Sequence, residues 1–326
     1  MAIVLSISFA YSIMTFFKKI KQILIKSKLT RAIFFWFDRR FFSLITRISP
    51  TLNSKLRFYF AFGRPLNLKN PQSFNEKLQW LKLNNYQYNP LAWQCADKFR
   101  VREYVKSIGE GDILTRLIAV YDKASDIDWN ALPDSFAIKT NHGCGSNIIC
   151  PDKSKLDKEE ARRKLDAWMR KDFHLRYSEM QYKHIDRKIV CEEYIRDENY
   201  PLPRDYKFYC FNGKAKAVMV CLDRFLGKAK YYLLDREWNL LRINPAGAKA
   251  PEGFSIEKPK DMDKMFDLAD KLSKPFPFVR VDLYNAGEKI YFGEMTLTPC
   301  GCLDSNYLPA GEKLFGEMLT LKAEGK

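Results

Sequence analysis

The sequence predicts an α+β fold built on antiparallel sheets, and three observations lead there. Asn212-Gly213 lies between two apolar and aromatic runs, Asp205 to Phe211 and Lys214 to Leu222, and Asn-Gly is the strongest short hairpin signal. Phe278 to Tyr284 and Lys289 to Met295, separated by Asn285-Ala286-Gly287, read as a second hairpin. The remaining segments lack the regular β-α-β alternation that a doubly wound parallel sheet requires.

With 326 residues, 46% hydrophobic and 14% aromatic, the chain can bury a sizeable core, which excludes disorder and a disulfide-stapled mini-domain. Lys and Arg outnumber Asp and Glu by 55 to 39, for a net charge of +16. Residues 1–70 hold thirteen basic side chains against one acid, Asp38, and so carry +12. The rest keeps +4, an ordinary balance with no basic stripe calling for nucleic acid.

The N-terminal excess is patterned. Met1 to Phe17 is uncharged and mostly apolar, too short for a spanning helix and without the basic start of a secretory signal. Beyond it, Ile20, Ile23 and Leu24 share one helical face, while Lys18, Lys19, Lys21, Lys26 and Lys28 cluster opposite. Ala32 to Phe37 and Phe41-Phe42 then set aromatics between arginines. This pattern predicts an amphipathic helical segment over 1–48 that lies on an anionic membrane, each Lys or Arg near the surface contributing about 1 kcal/mol. The alternative is that the same apolar residues pack on the catalytic body or on a second subunit.

Ser73-Phe74-Asn75-Glu76 has capping-box spacing and starts a helix through Trp80 and Leu83. Asp97 to Ser107 reads as another helix, closed by Gly109. Two strands follow, Ile113 to Tyr121 and Ser135 to Thr140, then a charged surface helix over Leu156 to Lys171 and a buried strand over Arg187 to Ile195. After the Asn212-Gly213 hairpin, Tyr231 to Leu234 and Trp238 to Ile243 extend the sheet. Asp261 to Ser273 is helical, and a closing helix covers Glu312 to Leu321. Three regions result: 1–48, a largely helical 49–134, and a core of 135–326.

Eight cysteines without an export signal are expected to stay reduced, and neither their spacing nor His142, His174 and His184 makes a metal-ligand set. Lys139 leaves a strand beside the turn Thr140-Asn141-His142-Gly143-Cys144-Gly145-Ser146-Asn147, giving an ammonium and close-approaching backbone N–H groups suited to polyphosphate. An ordinary Gly-rich hairpin turn beside a surface lysine would look the same. Arg280 and Asp282 alternate on one face of a strand, and the partner strand presents Glu294 and Thr296. Two carboxylates and a hydroxyl make a hard oxygen site fitted to Mg²⁺ held with nucleotide phosphates, unless they form only a cross-strand Arg–carboxylate pair. Asp205 and Lys207 set an acceptor and a cation on one face of an earlier strand, and Glu192-Glu193-Tyr194-Ile195 ends another.

Taken together, these residues resemble an ATP-grasp domain, and within that superfamily the TupA-like family associated with cell-surface polysaccharide and teichuronopeptide biosynthesis. The resemblance spans roughly residue 50 to the end and rests on Asn70 to Leu78, Asp97 to Val105, Lys139 to Asn147, Glu192 to Ile195, Asp205 to Lys214, Val279 to Tyr284 and Phe292 to Thr296. It implies that residues 135–326 are an ATP-grasp core with a nucleotide cleft between two sub-domains. It further implies that Lys139, with Lys98 or Arg102, contacts phosphates, and that Gly143, Gly145, Ser146 and Asn147 belong to the loop over the triphosphate. Glu192, Glu193, Tyr194 and Ile195 would form the adenine-reading hinge, with Asp205 near ribose and Lys207 near phosphate. Asp282 and Glu294 would bind Mg²⁺, and Arg280 would stabilise the transferred phosphoryl group. Thr296 stands where the superfamily usually has an asparagine ligand.

The implied reaction is ATP- and Mg²⁺-dependent activation of a carboxylate to an acyl phosphate, then attack by an amine or a related nucleophile, at the inner face of the plasma membrane. A nucleotide-sugar glycosyltransferase of capsule or exopolysaccharide synthesis is the alternative. Its usual mark, Asp-x-Asp, occurs at Asp126-Ile127-Asp128 in a polar loop and at Asp261-Met262-Asp263, where the acids would cap a helix.

Overall fold

The computed structural model describes residues 27–197, 203–222, 229–287 and 289–321. The chain divides into two compact units, one running through Leu66 and including Leu175–Ser178, the other holding Asn67–His174 and Glu179 onward.

The first unit contains helices α1 (Lys28–Ile48) and α2 (Pro50–Phe62). Ser49 serves both: its N–H donates to Ile45 O at 2.8 Å, and its Oγ accepts from Leu52 N at 3.1 Å, with Pro50 in the first turn of α2. Buried Asn53 of α2 donates to Phe42 O of α1 at 3.0 Å and also bonds Thr46. Arg57 grips Asp38 through both guanidinium ends, at 3.2 and 3.0 Å, and lies 3.6 Å from the centre of the Phe42 ring. Thr46 Oγ1 donates to Leu175 O at 2.7 Å. The amphipathic face expected at Ile20, Ile23 and Leu24, opposite Lys18, Lys19, Lys21 and Lys26, lies outside the described residues. No described helix is long and apolar enough to cross a membrane.

The second unit is α+β, with strands β1 (Leu117–Tyr121), β2 (Phe136–Thr140), β3 (Asn147–Cys150), β4 (Ile189–Glu193), β5 (Arg204–Phe211), β6 (Lys214–Leu222), β7 (Lys230–Asp235), β8 (Leu240–Leu241), β9 (Phe278–Ala286) and β10 (Lys289–Thr296). A four-stranded sheet runs β1-β4-β2-β3 and a six-stranded sheet runs β10-β9-β5-β6-β7-β8. Neighbours in both sheets pair antiparallel, as the two hairpin signals predict.

Helix α3 (Phe74–Leu81) starts at the expected capping box, Glu76 accepting from the Ser73 N–H at 3.1 Å. The helix predicted over Asp97–Ser107 is observed as α5 (Val101–Ser107), starting four residues later, and a helix not predicted, α4 (Pro90–Ala96), precedes it. Between them Asp97 Oδ1 accepts from the N–H groups of Phe99 and Arg100, at 2.8 and 3.2 Å, a local turn that competes with helix. The strand expected over Trp238–Ile243 shrinks to β8, because Trp238 adopts a left-handed φ of 71° and Asp235 and Asn239 close a turn around it. Strand β3 has no counterpart among the predicted strands.

The other helices are α6 (Lys158–Met169), α7 (Phe173–Tyr177), whose last three residues belong to the first unit, α8 (Met262–Ser273) and α9 (Pro309–Met318), with one helical turn at Pro245–Ala248. Buried Phe266 of α8 meets Phe208 of β5 with ring centroids 5.0 Å apart, so α8 covers one face of the large sheet. Side chains alternate along a strand, which sends Asp205, Lys207, Arg280 and Asp282 to the other face. Toward Phe211 and Phe278 that second face turns aromatic and is sealed by Phe74 of α3 and Phe315 of α9, with ring centroids 5.2–5.8 Å apart. The apolar end is closed, and the charged end is left for chemistry.

Candidate active site

Register fixes the charged cluster. Lys207 of β5 pairs directly with Asp282 of β9, which pairs directly with Glu294 of β10, and Arg280 pairs with Thr296. A straight ladder after Phe292↔Leu283 would put Gly293, not Glu294, opposite Asp282. The register shifts between Phe292 and Glu294, so Gly293 is the extra residue of a bulge. A Cβ on it would lie 2.8 Å from Asp282 O, closer than real side chains come.

Arg280 is the hub. It donates through Nε and Nη2 to the two Asp282 oxygens, each at 2.7 Å, and through Nη2 to Thr296 Oγ1 at 3.1 Å and Glu294 Oε1 at 3.3 Å. Thr296 Oγ1 donates to Glu294 Oε1 at 3.1 Å. Lys207 Nζ lies 2.6 Å from both Asp205 Oδ2 and Asp282 Oδ2. Burial pushes the Asp282 carboxyl up, against the opposing pull of Arg280 and Lys207. Burial works the same way on Glu294, but Lys98, Arg280 and Lys207 overturn it and hold this carboxyl at about 2.

Lys98, in the turn before α5, ties this cluster to the glycine turn. Its Nζ donates to Gly143 O at 2.5 Å and stands 3.7 Å from Glu294 Oε2, and its backbone N–H donates to Asn141 O at 3.0 Å. Buried Asn141 secures that approach by donating to Asp97 Oδ1 at 2.9 Å and to Asp186 O at 2.8 Å, and by accepting from Lys188 N at 2.8 Å. Sequence reasoning named neither Asn141 nor Asp97 as a site residue. Their one signal is the polar pair flanking Lys98 and the turn. A cleft opens where these parts meet, lined by Lys98, Gly143, Cys144, Tyr182, Glu294 and Thr296.

The glycine turn joins β2 to β3 in a hairpin, with Lys139 opposite Asn147 and Thr140 N donating to Ser146 O at 3.0 Å. Gly143 and Gly145 have φ of 77° and 69°. The Phe173 ring presses on Gly143 so closely that an added Cβ would fall 2.2 Å from it. Phe173 also meets His142 edge to face, with ring centroids 5.3 Å apart. Burial, with help from nearby Arg187, depresses the His142 pKa to about 4.

Lys139 and Arg102 belong to a second cluster. Lys139 Nζ is 2.6 Å from Glu192 Oε2, while Arg102 donates to Glu192 Oε1 at 2.9 Å and to Thr115 O at 2.7 Å. Burial alone would raise the Glu192 carboxyl, but Lys139 and then Arg102 bring it below its ordinary value. Glu192 thus turns its side chain toward two predicted phosphate cations. Glu193 ties β4 to β1, its backbone N–H donating to Arg116 O at 3.0 Å and its Oε1 accepting from Arg116 N at 2.9 Å. Tyr194 and Ile195 follow β4, half-buried.

Two carboxylates backed by a hydroxyl suit Mg²⁺, which commonly takes one or two protein carboxylates and completes its shell with water and phosphate. Among the described residues no group of three or more His, Cys, Asp or Glu side chains could hold a metal by itself, so phosphate oxygens would be needed here. All eight cysteines are free. The Asp-x-Asp triplets are engaged locally. Asp128 accepts from the N–H groups of Asn130 and Ala131, and Lys123 pairs with Asp126. Asp263 pairs with Lys258, and Asp261 accepts from Asn285 Nδ2 at 3.1 Å without the side-chain cap predicted for it.

A family model described as TupA-like ATPgrasp matches residues 76–319, most of the chain. The chain belongs to the TupA-like ATP-grasp family. A comparison with curated proteins finds no match. Among solved structures, D-alanine–D-alanine ligase from Bacillus anthracis is 15% identical, with 70% of this chain covering 67% of that one at a TM-score of 0.42. The same ligase complexed with ATP is covered over 54% of its length by 63% of this chain, at 15% identity and a TM-score of 0.38. D-cycloserine synthetase DcsG is 13% identical, with 70% of each chain covered and a TM-score of 0.39. This chain thus spans about half to two thirds of the two Bacillus anthracis ligase structures.

Proposed function

We propose that this TupA-like ATP-grasp enzyme activates a carboxylate with ATP and joins it to an amine or related nucleophile. The observation that carries the reading is Lys98, whose ammonium holds the glycine turn through Gly143 O and stands beside Glu294 of the carboxylate pair. On this reading the phosphate-binding and metal-binding parts meet across one cleft.

In the reaction, a substrate carboxylate oxygen attacks the γ-phosphorus of ATP and ADP leaves, giving an acyl phosphate. The amine then attacks the acyl carbon, phosphate departs with the electrons of its C–O bond, and the nitrogen loses a proton. Asp282 and Glu294, with Thr296, would hold Mg²⁺, which would neutralise phosphate charge when bound. Lys98, Lys139, Lys207 and Arg280 supply fixed positive charge, and Gly143 to Asn147 bring backbone N–H groups close to phosphate. Glu192 to Ile195, at the end of β4, would form the adenine-reading hinge. No nucleophilic side chain is required, because positioning and charge stabilisation carry the chemistry.

The substrate context is cell-surface polysaccharide biosynthesis or modification, with a uronic acid or amino acid as carboxylate and an amine or glycan as acceptor. Residues 1–48 hold the enzyme at the anionic inner face of the plasma membrane. Mg-ATP should raise the melting temperature while UDP-sugars leave it unchanged. ADP release over a panel of uronic acids, amino acids and glycan acceptors identifies the substrates. Asp282→Asn and Glu294→Gln should each abolish the Mg-ATP response; normal ATP hydrolysis by both variants would show the metal assignment to be wrong.

A further inference from the structure

Helix α1 has two unlike faces. Phe42, Ile45 and Thr46 are buried on one of them. On the other, Ile33, Phe37, Phe41, Leu44 and Ile48 succeed one another at spacings of four, four, three and four residues, a single helical stripe. Their exposures are 48, 61, 57, 59 and 74%. The stripe is about 22 Å long at 1.5 Å per residue. Soluble proteins rarely leave so continuous an apolar face uncovered.

Its borders are aromatic and basic. Trp36 is 54% exposed and stacks under Arg40, whose guanidinium lies 5.2 Å from the ring centre. Arg40 and Arg47 fall on the same edge of the helix as Trp36, by the 100° advance per residue. Residues 27–66 contain eight Lys and Arg against one acid, Asp38, and Asp38 is paired with Arg57. Charge therefore selects the occupant. A second copy docked stripe to stripe would bring like charges together, whereas an anionic lipid surface complements them.

We propose that this stripe seats α1 in the headgroup layer of an anionic bilayer, parallel to the surface, with Ile33, Phe37, Phe41, Leu44 and Ile48 entering the acyl boundary and Arg40 and Arg47 meeting lipid phosphates. The proposal rests on the reading that the N-terminal segment associates with an anionic membrane, and adds the face that does so and its orientation. A crossing helix would need a longer apolar run than any described helix offers.

The test is co-sedimentation of the full chain, without nucleotide, with phosphatidylcholine vesicles and with vesicles containing one quarter phosphatidylglycerol. The wild type should bind the anionic vesicles selectively. Phe37→Ser combined with Phe41→Ser should weaken binding by about tenfold or more, with melting temperature and far-UV spectrum unchanged, since both side chains are exposed. Arg40→Glu combined with Arg47→Glu should remove the preference for anionic lipid. Undiminished vesicle binding by the Phe37/Phe41 variant would overturn the stripe assignment while leaving the membrane reading intact, residues 1–26 then being the anchor. Absence of vesicle binding by the wild type would overturn both. A lipid-free dimer that the Phe37/Phe41 variant dissociates, without vesicle binding by either, would make the stripe a self-association face and overturn the proposal. None of these outcomes depends on the ligase reading.

Discussion

Glu294 stands directly opposite Asp282 because Gly293 adds one residue to β10, and this bulge brings two carboxylates to Arg280. Side-chain alternation accounts for Arg280 beside Asp282, but the pairing across strands depends on the bulge.

Gly293→Val is therefore expected to disturb the acid pair without removing either acid. The new Cβ would meet Asp282 O at 2.8 Å and Tyr284 Cε2 at 3.0 Å, so β10 must shift. Denaturant melts should show a loss of about 1–3 kcal/mol, in the range of overpacking. The Mg²⁺ concentration for half-maximal ADP formation should rise. An unchanged Mg²⁺ dependence would mean that the bulge does not set the carboxylate pair.

The two turn glycines should respond unequally to alanine. Both have positive φ, which costs a side chain about 1–2 kcal/mol. Gly145 has nothing within 4 Å of a new Cβ, whereas at Gly143 the Cβ would enter the Phe173 ring. Gly143→Ala should lower melting temperature and ATP affinity well beyond Gly145→Ala. Equal effects from the two would show that Phe173 does not constrain the turn.

Lys98→Met tests the link between turn and acids. Losing a charge-assisted bond of about 1.5–3 kcal/mol should weaken Mg-ATP binding roughly tenfold or more, as read by calorimetry. Lys98→Arg should recover part of it. Wild-type affinity in Lys98→Met would remove Lys98 from the nucleotide site.

His142 predicts a pH dependence of stability. Its folded pKa of about 4 lies below the unfolded value near 6.5, so the unfolded chain binds the extra proton between these limits. Stability from this group is complete above pH 6.5, falls as pH drops through the window and levels off below about 4, a change of roughly 3 kcal/mol. Urea melts from pH 7 to 4 should show this slope, and His142→Gln should reduce it. An identical slope in the variant would assign the effect elsewhere.

The hairpins were legible because turn chemistry and two-residue periodicity are local. Asn212-Gly213, Arg280 with Asp282, and Asp205 with Lys207 all follow from neighbours in sequence. Gly293 was available as a signal, since an isolated glycine in a strand marks a bulge. The bond from Arg102 to Glu192 spans 90 positions, and no local pattern encodes it. The later start of α5 escaped for a related reason: Asp97, which reads as a helix start, spends its carboxylate on the turn before the helix and on Asn141.

Lys98, Lys207 and Arg280 face Asp205, Asp282 and Glu294, so three cations meet three acids. Such a salt lattice is electroneutral and resists a lone visitor of either sign. Bare metal would have to evict ammonium and guanidinium groups, and bare nucleotide would confront the liberated carboxylates. On the proposed assignment only the chelate exchanges partners on both sides at once, so joint entry is the expected order and free ADP without divalent ion should bind weakly.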